Sequence, residues 1–287
     1  MGDDDLDAAL DVTNQAFTGL VEKMSGRRPT GPLFSPWMAR YRFALDPQGC
    51  HVAIAGGEVV GVNFSVLRGT LGWFGPLAVQ PGFQGAGIAQ ALVTECIRSA
   101  QGRGMRLFGL ETLANSPQHI HLYQKLGFRS SWTGVNYHGE ARESKLPAAI
   151  ETEGKAPKLD HLYSGFDATP DVVTTRSTGA GVALTCGEGI AICHTENTLW
   201  VDPSMVYVPL IVAPDRATFD ILLRGVEAVA RQHGMTGVST HVPGSSWATQ
   251  EALLERGYRP GGATLRMKSG ENLDYDSGPA YYCDDWH

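Results

Sequence analysis

Val79-Gln80-Pro81-Gly82-Phe83-Gln84-Gly85-Ala86-Gly87-Ile88-Ala89-Gln90-Ala91-Leu92 reads as the end of a β-strand, a glycine-rich turn and a helix that begins at once. Such a turn aims several backbone N–H groups, and the positive end of a helix dipole, at one point that suits a pyrophosphate. A side chain at Gly85 or Gly87 would hold a phosphate away from the backbone. No Lys-Ser/Thr pair follows, which excludes a P-loop, and the glycines miss the G-x-G-x-x-G spacing of a dinucleotide site. Taken alone, the stretch is also compatible with a plain tight loop.

Further along comes a second short apolar strand, Arg106-Leu107-Phe108-Gly109-Leu110-Glu111, and then His121-Leu122-Tyr123-Gln124-Lys125-Leu126-Gly127-Phe128, a helix end stopped by Gly127. In this order and spacing the chain resembles the GNAT acetyltransferase superfamily. Gln84-x-x-Gly87-x-Ala89 matches that family's acyl-CoA motif, and "LYQKLGF" matches its other strong motif. The resemblance covers roughly residues 50–135. It implies a mixed α/β fold with a central, mostly antiparallel sheet, splayed strands and flanking helices. It also implies acetyl-CoA, or another acyl-CoA, as co-substrate, with no metal.

At 287 residues with 43% apolar composition, the chain is long enough for two domains with proper cores. No apolar run is long enough to span a bilayer, and the acidic start Met1-Gly2-Asp3-Asp4-Asp5 has no signal-peptide pattern. The five cysteines form no Cys-x-x-Cys pair and read as reduced thiols, so a cytoplasmic protein is expected. The net charge of −7 lies wholly in residues 141–287, which hold 12 Lys/Arg and 19 Asp/Glu, whereas residues 1–140 hold 11 of each. That balance argues against nucleic acid as a partner. It is compatible with a cationic acceptor or with ordinary solubility.

The chain repeats itself. Gly57-Glu58 is echoed by Gly187-Glu188, Gly104-Met105 by Gly234-Met235, and Gly127-Phe128 by Gly257-Tyr258, each at an offset of 130; Pro76-Leu77 is echoed by Pro209-Leu210 at 133. The second copy lacks the glycine turn. Pro214-Asp215-Arg216-Ala217-Thr218-Phe219-Asp220 stands there, and its carboxylates would repel a pyrophosphate. This predicts an acyl-CoA-binding domain over 1–140, a linker over 141–170, a degenerate copy over 171–270 and an acidic aromatic tail over 271–287. The two copies would form a pseudo-dimer within one chain, expected to be a monomer. The tail, with Tyr275, Tyr281, Tyr282 and Trp286, is read as loose or surface-docked, with capping of the acceptor cleft as the alternative.

An alkylamine of pKa near 10.4 is only about one part in a thousand neutral near pH 7, so its acylation needs a proton acceptor. By the resemblance, the backbone of Leu77, Ala78 and Val79 pairs with the pantetheine arm and polarises the thioester. Gly75-Pro76 would bulge the strand Trp73–Val79 and open the gap for that arm. Gln84, Gly85, Ala86, Gly87, Ile88 and Ala89 would hold the pyrophosphate. The family's usual Asn aligns with Ser116, with Asn115 just before it, and the contact could come from either. Glu111 is the candidate base, acting through water or with a raised pKa, or else a strand-end carboxylate that only binds substrate. Tyr123 is the candidate acid for the CoA thiolate, or a core residue that hydrogen-bonds the sulfur. At the 130 offset Glu111 becomes His241 and Tyr123 becomes Leu253.

His119-x-His121 does not read as a metal site, because positions two apart on a helix diverge. By the resemblance, the acceptor is expected at the connection between two helices, roughly Leu6–Met24 and one starting near Trp37, with Arg28, Phe34, Trp37 and His119 as candidate contacts. The arginines point to an anionic group and the acidic second half to a cationic acceptor. The function expected is acetyl transfer from acetyl-CoA to a primary amine of a small molecule, directly in a ternary complex. A protein lysine or N-terminus is the other acceptor class, and an acyl-CoA sensor is the non-enzymatic alternative.

Overall fold

The computed structural model of the chain describes residues 1–161, 164–199, 202–271 and 280–285. The first half runs α1 (Leu6–Ser25), α2 (Pro36–Leu45), β1 (His51–Ala55), β2 (Glu58–Arg68), β3 (Leu71–Val79), α3 (Ile88–Gln101), β4 (Leu107–Leu113), α4 (Pro117–Lys125) and β5 (Arg129–Glu140). The second runs α5 (Thr169–Thr178), β6 (Gly181–Cys186), β7 (Gly189–His194), β8 (Met205–Ala213), α6 (Arg216–Gln232), β9 (Gly237–Pro243), α7 (Trp247–Glu255), β10 (Arg259–Gly270) and β11 (Tyr281–Asp284). From α2 onward the two halves follow one element order, as the internal repeat requires. Local chemistry sets the helix ends. Ser35 accepts the Trp37 N–H ahead of Pro36, and α1 stops at Gly26 with φ 71°.

Among the described residues, eleven strands form one sheet in the order β1-β2-β3-β4-β10-β5-β9-β8-β7-β6, with β11 paired to β8. Most pairings are antiparallel; β3–β4 and β8–β9 are parallel. The halves exchange their last strands. β10 comes from the second half but pairs with β4 of the first, and β5 comes from the first half but pairs with β9 of the second. The two exchanged strands pair with each other, and Gly134 faces Thr264 across them. These positions differ by 130, the offset of the repeat itself, so the pseudo-twofold axis passes through this pair.

The cores follow the exchange. Met267 of β10 is fully buried with Phe74, Val93, Phe108 and Phe128 of the first half. Tyr137 of β5, its counterpart at the 130 offset, is buried with Val206, Phe219 and Val238 of the second. The division expected at 1–140 and 171–270 follows the order of the chain but not the sheet, because each block lends a strand to the other. The tail reading is corrected. Residues 281–284 form a strand in which Cys283 and Asp284 are buried, so this part of the tail is neither loose nor surface-docked. Tyr275 and Trp286 lie outside the described residues.

Candidate active site

Strand β3 leaves β4 part-way along. The two are paired only over Leu71↔Leu107, Gly72↔Phe108 and Trp73↔Gly109. Beyond that point β3 continues to Val79 and β4 to Leu113 without pairing. The cause lies at Gly75-Pro76. Across β2–β3 the register passes from Asn63↔Leu77 to Ser65↔Phe74, so three steps of β3 oppose two of β2. An extra residue on one strand bends it away from its neighbour. Leu77, Ala78 and Val79 occupy the diverging segment, with Ala78 and Val79 buried and Leu77 half-buried.

The glycine turn follows at once. Gly85 has φ 84° and Gly87 φ 82°, the left-handed region that favours glycine. A Cβ at either would meet nothing within 4 Å. Within the chain, therefore, the glycines are required by conformation and not by crowding. Gln84, Gly85, Ala86 and Gly87 are exposed, and Ile88 and Ala89 are half-buried at the start of α3. Gly87 is the N-cap of α3 and supplies no side-chain cap, so the first amides of that helix stay available to an anion. The Gln84 side chain donates to the Val79 carbonyl at 3.0 Å and ties the turn to the end of β3. An unpaired strand edge running into an uncapped helix N-terminus suits a long polar arm that ends in phosphate.

Tyr123 packs edge-on against Phe74 and Phe128, in one cluster with Val93 of α3. Burial pushes its phenol well above the ordinary tyrosine value, so it stays protonated through the neutral range. Ser116 caps α4 with its carbonyl, which accepts the Ile120 N–H, and exposed Asn115 precedes it.

Glu111 lies within β4, and its side chain is completely buried. Its Oε1 accepts from Arg266 Nε at 2.9 Å and from Arg266 Nη2. Its Oε2 accepts from the Thr264 hydroxyl and lies 2.6 Å from His241 Nε2. Arg266 also donates to Asp284 Oδ1 and Oδ2 at 2.8 and 3.0 Å, and His241 Nδ1 lies 2.7 Å from Asn136 Oδ1. The pattern obeys the repeat. Glu111 and His241 are equivalent positions of the two copies, as are Asn136 and Arg266, and equivalents meet because they border the pseudo-axis. Gly134 is what makes room, since a Cβ there would stand 1.8 Å from His241 Nε2 and 2.7 Å from Glu111 Oε2.

The candidate acceptor residues are spread apart. Arg28 is exposed and pairs with Glu22 at 3.3 Å. The Phe34 ring sits in the core, edge-on to Phe17 at 5.0 Å. Trp37 packs partly buried against the central core. His119 is half-buried, and burial together with Lys23 of α1 lowers its pKa, so α4 and the end of α1 approach one another there. Asn14 was not apparent from sequence; it pins the interhelical loop by accepting the Leu33 and Phe34 N–H groups at 2.8 and 2.9 Å.

Comparison with known proteins agrees with this geometry. Residues 17–128 match the acetyltransferase (GNAT) family. A tandem GNAT protein from the clavulanic acid biosynthesis pathway superposes with TM-score 0.55 at 15% identity, over 95% of this chain and 97% of that one. Residues 17–128 thus carry the likeness to the GNAT family, and the chain as a whole has the fold of a tandem GNAT protein.

The chain also shares its fold with a Pyrococcus horikoshii protein assigned as an acetyltransferase, at TM-score 0.70 and 17% identity over 97% of this chain and 91% of that one. In sequence it is 30% identical over 99 residues to a mycothiol acetyltransferase of Streptomyces avermitilis, and 30% identical over 98 residues to that of Streptomyces coelicolor. These matches cover 34% and 33% of this chain and 32% of each relative, so the chain spans about a third of the length of the curated relatives it matches. Among the described residues, no helix is long and apolar enough to cross a membrane. No group of three or more His, Cys, Asp and Glu among them could hold a metal ion.

Arg266, Thr264 and Asp284 were missed as neighbours of Glu111 because they lie more than 150 residues away and carry no motif. One signal was available. In a pseudo-dimer, a position near the axis meets its own copy, so Glu111 and His241 could have been read as a pair and not as an original and its replacement.

Proposed function

We propose that this chain transfers an acetyl group from acetyl-CoA to the primary amine of a small molecule, by direct attack in a ternary complex. The carrying observation is the edge of β3 that β4 leaves unpaired beyond Trp73, running straight into the uncapped N-terminus of α3. The sequence relationship to mycothiol acetyltransferases supports a small-molecule acceptor. Acetyl-CoA would supply the acyl group as an activated thioester. Amides of Leu77 to Val79 hold the acyl arm along the free edge of β3 and polarise its carbonyl. The turn Gln84 to Gly87, with the first amides of α3, takes the pyrophosphate.

In the transfer, a nitrogen–acyl bond forms and the acyl–sulfur bond breaks. The amine gives up a proton and the departing thiolate gains one. We assign the second proton to the Tyr123 phenol, which burial keeps protonated. We assign the first to Glu111, whose buried oxygens also meet Arg266, Thr264 and His241. The deciding experiment is thiol release from acetyl-CoA across a panel of primary amines. Release that depends on the amine is expected. Tight acetyl-CoA binding with no release for any amine would overturn the assignment.

A further inference from the structure

The second half repeats the strand divergence of the first but does not leave it open. β8 and β9 pair in parallel from Met205↔Gly237 to Val208↔Thr240 and then separate. The next residues of β8 pair instead with the C-terminal strand, as Leu210↔Asp284, Ile211↔Cys283, Val212↔Tyr282 and Ala213↔Tyr281. At the 133 offset, Leu210 to Ala213 correspond to Leu77 to Gln80. The tail strand therefore lies along the segment equivalent to the one we assign to the acyl arm.

It is held from several sides. The Tyr282 N–H donates to Thr249 of α7 at 3.1 Å. The Asp285 N–H donates to the Pro209 carbonyl at 3.0 Å. The Tyr207 hydroxyl donates to Asp285 Oδ2 at 2.5 Å. Cys283 is fully buried, and burial pushes its thiol up to about 12.

The other end of the equivalent cleft is filled as well. α3 has glycine at its N-cap and no side-chain cap. α6 has Asp215, whose carboxylate accepts the Thr218 N–H at 2.7 Å. A carboxylate of the chain thus occupies the helix end that in the first half is open to an anion. Strand and carboxylate together stand where the arm and the phosphate of an acyl-CoA would be, both supplied by the protein.

Resting on the acyl-CoA reading of the first site, we propose that the second domain is self-occupied and serves as a positioning partner: β11 fills its interstrand cleft, and Asp284 of that strand holds Arg266 against Glu111 of the first site. Asp284 and Arg266 are then positioning residues, acting on substrate only through Glu111. The geometry explains why an acidic residue ends a strand that is otherwise apolar: Asp284 offers both carboxylate oxygens and its carbonyl to Arg266.

The test is hydrogen exchange by mass spectrometry on the full chain, with and without acetyl-CoA, alongside N-ethylmaleimide labelling of Cys283. Amides of 210–213 and 281–284 should exchange slowly in both conditions, and Cys283 should stay unlabelled. Amides of 77–79 should gain protection only with acetyl-CoA. Fast exchange at 281–284, or loss of their protection and labelling of Cys283 when acetyl-CoA is added, overturns the proposal. Protection at 281–284 combined with indifference of 77–79 to acetyl-CoA keeps the second cleft sealed and removes the acyl-CoA reading of the first. Asp284→Asn tests the coupling. It should lower kcat at least tenfold with KM for acetyl-CoA within twofold, and an unchanged kcat refutes the link to Glu111. Should that variant fail to fold, Arg266→Lys, which keeps the charge but not the fork, gives the same split between kcat and KM.

Discussion

Replacing Arg266 by methionine removes a guanidinium that two buried carboxylates share. In the folded chain the guanidinium serves Glu111 on one side and Asp284 on the other, and the three side chains are at most 2% exposed. Deleting one partner of a buried ion pair costs about 3–5 kcal/mol, because the remaining charge stays buried without compensation. Two carboxylates lose the same partner here, so we expect the upper end, about 5 kcal/mol. Unfolding entropy near 2.1 cal/mol/K per residue gives about 0.6 kcal/mol/K for the 287-residue chain. The melting temperature should then fall by about 8 °C in thermal unfolding followed by circular dichroism. Arg98→Met, which removes an exposed partner of Glu95, is the control and should leave the melting temperature unmoved. Adding Asp284→Asn to Arg266→Met should recover part of the loss, since one of the two carboxylates is then gone. A loss below about 1 kcal/mol for Arg266→Met would refute the reasoning, because no such buried charge cluster could then exist.

Four further outcomes are expected. Glu111→Gln should lower kcat by about 10²–10⁴-fold, and an undiminished kcat would remove Glu111 from proton transfer. Tyr123→Phe should cut kcat by about 10²-fold or more with little change in KM for acetyl-CoA; equal turnover would reduce Tyr123 to a packing role. Gly87→Ala places a Cβ at φ 82°, at a strain of about 1–2 kcal/mol, and should weaken CoA binding measured by calorimetry; unaltered affinity would place the pyrophosphate elsewhere. His194 is buried beside Arg42 and Arg68, and burial first, then these cations, takes its pKa down to about 3. The folded chain therefore keeps it neutral where the unfolded chain binds a proton, so stability is full above about pH 6.5 and declines toward pH 3, by about 2 kcal/mol at pH 5. His194→Gln should flatten urea-unfolding stability between pH 6.5 and 5, and an unchanged slope would refute the assignment.

What the sequence determined by itself was local in origin. The glycine turn, the helix it starts, the proline that bulges β3 and the "LYQKLGF" helix end each act within a dozen residues, through backbone dihedrals and capping. The internal repeat and its missing turn were legible too, because a chain can be compared with itself. Tertiary structure alone decided the strand exchange, the seating of β11 and the surroundings of Glu111. A strand's alternation of side chains is the same whichever neighbour it pairs with, so nothing in 129–140 or 259–270 says that each closes the other half's sheet. Nor does the tail's composition say that Asp284 meets Arg266, since that contact exists only once β8 and β9 have parted and left an edge to fill. Glu111 was visible as a residue from its place at the end of an apolar run, although β4 continues to Leu113. That it stands on the pseudo-axis, facing its own counterpart His241, follows from how two copies pack and from no motif in either.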